Sequence, residues 1–101
     1  MAPKPTIYVA MPCYDAVQRD CVVSLVQMFS EFKKAQIQSR FNIVKSSLVH
    51  HARNLATCGF LQSKLSHMLF IDSDVEFEPE AVFRMLVAQK DIVCTPYRVK
   101  L

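Results

Sequence analysis

Thr6-Ile7-Tyr8-Val9-Ala10-Met11 is apolar or β-branched at every position and is stopped by Pro12. A strand without a polar face must be covered on both sides, which suits a parallel sheet flanked by helices and argues against a half-solvated antiparallel one. His67-Met68-Leu69-Phe70-Ile71 is a second run of this kind, and Phe41-Asn42-Ile43-Val44 and Asp91-Ile92-Val93-Cys94 read as two shorter strands. Between them lie helical patterns. From Ala16 to about Gln36, residues Val17, Cys21, Leu25, Met28, Phe29 and Phe32 recur at spacings of three and four. From Ser47 onward Leu48, Ala52, Leu55, Ala56 and Phe60 do the same, with Ser46 or Ser47 as N-cap and Gly59 as a flaw in the pattern. Pro79 opens a third helix carrying Val82, Phe83, Leu86 and Val87 on one face. The predicted fold is therefore α/β, a mostly parallel sheet in the order β-α-β-α-β-α-β with right-handed crossovers.

Composition narrows the function classes. With 101 residues the chain holds one domain at most, and 51% hydrophobic against 21% charged residues predicts a packed core rather than a disordered tail. One glycine in the whole sequence excludes the glycine-rich phosphate loops, so a nucleotide has to be held some other way. The formal charge of +3 is spread along the chain without a basic patch, which predicts no nucleic-acid partner. There is neither a signal-peptide pattern nor an apolar run long enough to span a membrane, so the chain is expected to be cytoplasmic. Cys13, Cys21, Cys58 and Cys94 form no C-x-x-C pair and are expected to be free thiols packed as small core residues.

In parallel α/β sheets ligands sit beyond the carboxyl ends of the strands, which singles out two loops, Pro12 to Asp15 and Asp72 to Asp74. Asp72 and Asp74, two residues apart after a buried strand, are placed to hold a hard divalent cation, Mn²⁺ or Mg²⁺, that bridges phosphate oxygens. The competing reading is an Asp-initiated, solvated turn. Arg53, beside Asn54 on a helix otherwise facing the core, is suited to grip a phosphate or an Asp carboxylate; its plain alternative is a solvated stripe. Pro12-Cys13-Tyr14-Asp15 puts a ring and a carboxylate at the mouth of the first strand, where a nucleobase could stack. His50, His51 and His67 lack metal-site spacing and read as surface or packing residues.

Met11-Pro12-Cys13-Tyr14-Asp15, Ala52-Arg53-Asn54 and Phe70-Ile71-Asp72-Ser73-Asp74 together resemble the Pro-x-Tyr-Asn/Asp opening, the Ala-Arg-Asn helix and the DxD motif of family-2-like glycosyltransferases with the GT-A fold. The likeness spans nearly the whole chain and is closest to the sub-group of large DNA viruses, phages and collagen-modifying enzymes. It implies a Rossmann-like N-terminal half that binds a nucleotide-diphosphate sugar, most often a UDP-sugar, for transfer to an unidentified acceptor. It further implies that Tyr14 and Asp15 lodge the base, that Asp72 meets the ribose or a metal-bound water, that Asp74 ligates Mn²⁺ or Mg²⁺, and that Ser73, with Pro12 and Cys13, belongs to the donor site. Arg53, with Asn54 beside it, would contact the nucleotide or orient the DxD loop.

The family's domain runs well beyond this length, so the resemblance implies a truncated domain whose acceptor site and catalytic base follow Leu101. The sheet edge left open would then favour self-association. Two other classes compete. A haloacid-dehalogenase-like phosphatase would use Asp72 as nucleophile, but it needs further motifs than the residues after Asp74 can hold. A non-catalytic α/β module would keep the Asp pair as a metal-binding or structural turn.

Overall fold

A computed structural model describes residues 4–13, 16–45, 49–89 and 91–93. Its elements are β1 (Ile7–Cys13), α1 (Arg19–Lys34), β2 (Ser39–Lys45), α2 (Val49–Ser63), β3 (His67–Phe70) and α3 (Pro79–Val87). The strands form one parallel sheet in the order β2-β1-β3, with Ile7 level with Ser39 on one side and His67 on the other. The alternating pattern holds through the third helix. It then departs from expectation, because residues 91–93 bend rather than form a fourth strand, and Cys94 lies outside the described residues.

The central strand is buried on both faces, as its composition requires. Ile7, Val9 and Met11 face α1 and α3, where they pack with Cys21, Leu25, Met28, Phe32, Val75 and Val82. Tyr8 and Ala10 face α2, where they meet Ala52, Ala56 and Val44. On the α1 side the aromatic rings stack edge-on, Phe32 against Phe29 at 6.0 Å and against Phe83 at 5.8 Å. On the α2 side the contacts are closer and the side chains smaller. A Cβ on Gly59 would lie 2.5 Å from the Tyr8 hydroxyl oxygen, to which Asn42 Nδ2 donates at 2.9 Å. The glycine that interrupts the helical pattern is thus the place where α2 passes the ring of the central strand.

Strand β1 also runs further than the sequence predicts, through Pro12 to Cys13. The hydrogen-bond parity explains why a proline is accepted there. Ile7 N–H donates to the carbonyl of Gln38, just before β2, whereas the Ala10 carbonyl accepts from Ile71 after β3, so odd residues of β1 face β2 and even ones face β3. Pairing with β3 ends at Ala10 and Phe70, so Pro12, turned toward that side, stands where the ladder stops and interrupts no rung to β2.

With a single glycine available, the helices end on other residues. Gln36, Lys64 and Gln89 adopt left-handed backbone with φ of 57°, 62° and 52°. At α1 the termination is a full Schellman motif, with Ile37 N–H on the Phe32 carbonyl at 2.9 Å and Gln36 N–H on Lys33 at 3.1 Å. That is why the helix closes at Lys34, short of Gln36. The proposed N-cap, Ser46 or Ser47, lies outside the described residues.

Candidate functional site

The chain leaves β1 through α1 to β2 on one side, then crosses through α2 to β3 on the other. Helices α1 and α2 consequently cover opposite faces, and α3, which follows β3, returns to the α1 face. In an open α/β sheet ligands are received beyond the strands' carboxyl ends. Asp72-Ser73-Asp74 follows directly from β3 at that end. Tyr14 and Asp15, which follow β1, lie outside the described residues.

The Asp turn is held by its backbone. The Asp72 carbonyl accepts the Val75 N–H at 3.2 Å, closing a turn whose flanks, Ile71 and Val75, are both buried. Three contacts then tie the segment to α1. Gln18 N–H donates to the Ser73 carbonyl at 3.0 Å, the Cys21 thiol donates to the Asp72 carbonyl at 3.6 Å, and Phe77 N–H donates to Ser24 Oγ at 3.1 Å. Residues 18, 21 and 24 follow one another at spacings of three, so the segment lies along one side of the helix's first turns. Ser24 itself donates to the Asp20 carbonyl at 3.0 Å and is the buried polar residue of the described core. With carbonyls and amides engaged, the carboxylates are directed outward: Asp72 and Ser73 are half-buried and Asp74 is exposed.

Arg53 reaches the turn from α2. Its Nη2 lies 3.5 Å from Asp72 Oδ1, and its guanidinium carbon sits 5.7 Å from the centre of the Phe70 ring. Both ion-pair partners are substantially exposed, so the pair is worth no more than about 1 kcal/mol and can be exchanged for another ligand. One contact is present, rather than the two-pronged grip that a guanidinium can make. Asn54 is exposed beside it.

Several expected site residues take other places. Pro12 and Cys13 belong to β1 rather than to a loop, and Cys13 is buried. Cys58 is exposed on α2, contrary to the expectation of four core cysteines, whereas Cys21 fits it. Burial pushes the Cys21 thiol up from its ordinary value of 9.0, with the nearby Asp74 and Asp72 charges adding to the effect and a hydrogen bond to Val75 opposing it. The raised value accords with the thiol's place as a donor to the Asp72 carbonyl. His51 and His67 are exposed. The tethering residues Gln18, Cys21 and Ser24 were not singled out as site residues by the sequence. A serine within an otherwise apolar helical stripe was the available signal.

The donor set can be tested against a divalent cation. Among the described residues no three His, Cys, Asp or Glu side chains converge, and the carboxylates of the turn itself are Asp72 and Asp74. Mg²⁺ and Mn²⁺ accept two carboxylates when phosphate oxygens and waters supply the remaining ligands. A permanently held structural ion would need more. At the opposite, amino end of the strands lies a groove of about 440 Å³ lined by Lys4, Ser66, His67, Leu86 and Asp91, remote from the Asp turn. Ser66 Oγ is committed there to Thr6 and to His67 Nδ1. No described helix is long and apolar enough to cross a membrane. The chain matches no protein-family model, no curated protein and no solved structure.

Proposed function

We propose that the carboxyl edge of the sheet binds a nucleotide-diphosphate sugar, with a UDP-sugar as the first choice, together with Mn²⁺ or Mg²⁺, for glycosyl transfer to an acceptor. The observation that carries this reading is the position of the Asp72-Ser73-Asp74 turn, tied to α1 just beyond the carboxyl end of β3 beside the central strand, with Asp74 exposed.

In sugar transfer the bond between the anomeric carbon and the diphosphate oxygen breaks while a bond to an acceptor oxygen forms, and negative charge grows on the diphosphate. A bound divalent cation supplies Lewis-acid stabilisation of that charge. Asp74 and Asp72 would hold the cation, with Ser73 between them as part of the donor site. Arg53 exchanges its weak contact with Asp72 for the nucleotide's phosphates, which suit a guanidinium better than a single carboxylate oxygen at 3.5 Å. Pro12 and Cys13 carry the chain to Tyr14 and Asp15, the residues assigned to the base. No described residue is given the role of catalytic base.

Calorimetric titration of UDP, GDP and ADP, each with and without Mn²⁺, tests the reading. One nucleotide is expected to bind only with the metal, and Asp74→Ala is expected to abolish that binding while leaving the circular dichroism unchanged, since Asp74 is exposed. A folded protein that binds none of the three rules out a working donor site. Binding that survives Asp74→Ala and chelation removes the metal from the reading and leaves a nucleotide-binding module.

A further inference from the structure

The β2 edge of the sheet is seven residues long and carries neither a proline nor a bulge. Because Gln38 faces β1, so do Arg40, Asn42 and Val44, and the N–H and C=O groups of Ser39, Phe41, Ile43 and Lys45 point to the open side. The side chains of Phe41 and Ile43 lie on the α1 face, where they remain 39% and 48% exposed, and Phe41 meets Phe29 at 5.6 Å. Val22 and Val26 precede Phe29 by seven and three residues, on the same side of α1, and are exposed as well. Strand edge and apolar flank therefore form one surface, of the kind that pairs with another strand.

We propose that this surface is covered by the same surface of a second copy, the two β2 strands pairing antiparallel about a two-fold axis at Asn42. The strand is self-complementary in that register. Phe41 falls opposite Ile43, Ser39 opposite Lys45 and Arg40 opposite Val44, so no like charges face each other, while pairing about Arg40 or Lys45 would set like charges together. All four residues with outward backbone groups find partners with outward groups, as a hydrogen-bonded antiparallel ladder requires. Phe41 and Ile43 from both copies join into one apolar cluster between the α1 helices. Two three-stranded sheets become one of six, and the β3 ends with their Asp turns lie at its outer limits, open to solvent. The four-residue β3 is the poorer edge, since it is shorter and its terminal Phe70 lies under Arg53.

Sedimentation equilibrium of the full chain from about 10 to 500 μM, with amide exchange at both ends of that range, tests the proposal. A dimer is expected in which the Phe41 and Ile43 amides are protected and lose that protection on dilution, while the Asn42 and Val44 amides stay protected throughout. Ile43→Pro removes an outward N–H that no rung within the copy uses, and Ile43→Lys places charge in the apolar cluster. Each is expected to weaken dimerisation at least tenfold with unchanged circular dichroism, and the lysine variant decides the matter if the proline one misfolds. A monomer at every concentration overturns the proposal, as does a dimer whose Phe41 and Ile43 amides exchange freely or that tolerates Ile43→Lys.

Discussion

The two faces of the sheet are built differently. On the α1 face large side chains such as Phe32, Met28 and Met11 fill a thick layer, and hydrogen bonds from Gln18, Cys21 and Ser24 extend that layer to the Asp turn. On the α2 face Ala52, Ala56 and Gly59 form a stripe of small residues that lets the helix approach Tyr8, and the residue it carries to the site, Arg53, is attached by weak surface contacts. One face therefore fixes the backbone of the site. The other delivers a replaceable cation to it.

The difference can be broken by substitution. Phe32→Ala, emptying the thick layer at a fully buried ring, is expected to cost about 3–5 kcal/mol in urea denaturation, the largest effect of those considered. Gly59→Ala should cost about 1–3 kcal/mol, because the added methyl meets the Tyr8 hydroxyl. Combining it with Tyr8→Phe should restore part of that loss, giving a double variant more stable than the sum of the singles. If Gly59→Ala proves neutral, α2 has room to retreat and the close-packed description of that face is wrong.

Ser24→Ala removes the acceptor of the Phe77 amide and should cost about 1–2 kcal/mol, with faster exchange at Phe77 and weaker metal-dependent nucleotide binding. Arg53→Ala sharpens the contrast most, since stability should change by less than about 1 kcal/mol while nucleotide affinity falls. A destabilisation by Arg53→Ala comparable to that of Phe32→Ala would make the two faces equivalent.

Much of this architecture was legible in the residue pattern, for a physical reason. A strand covered on both faces must be apolar throughout, and helices packed on one side must repeat at three and four, so β1 and all three helices announced themselves; β3, equally apolar and expected to be buried, instead leaves His67 and Phe70 exposed. What escaped depends on contacts between distant segments. Nothing local tells that Pro12 faces a side of β1 where the ladder has ended, or that Gly59 lies against Tyr8 some fifty positions earlier. Cys58 looked like core because cysteine usually is, yet it adjoins the glycine on the outer side of α2. Asp91-Ile92-Val93 has strand composition but bends, composition being a weak guide for a run so short. The Asp pair was visible as a motif, whereas the ties that orient it join the Gln18 amide and the Cys21 and Ser24 side chains to main-chain groups some fifty residues away in the sequence.

Pro12 has a consequence beyond being tolerated. The next rung between the central strand and β3 would need an N–H from residue 12 to reach the Ile71 carbonyl, and a proline ring has none to give. The zipper between these strands consequently has a built-in stop one step before the carboxylates. Past it the two chains are free to part, α1 drawing the Asp turn to one side while β1 continues against β2. A missing hydrogen atom thus keeps the sheet from sealing the space in which the proposed ligand would sit.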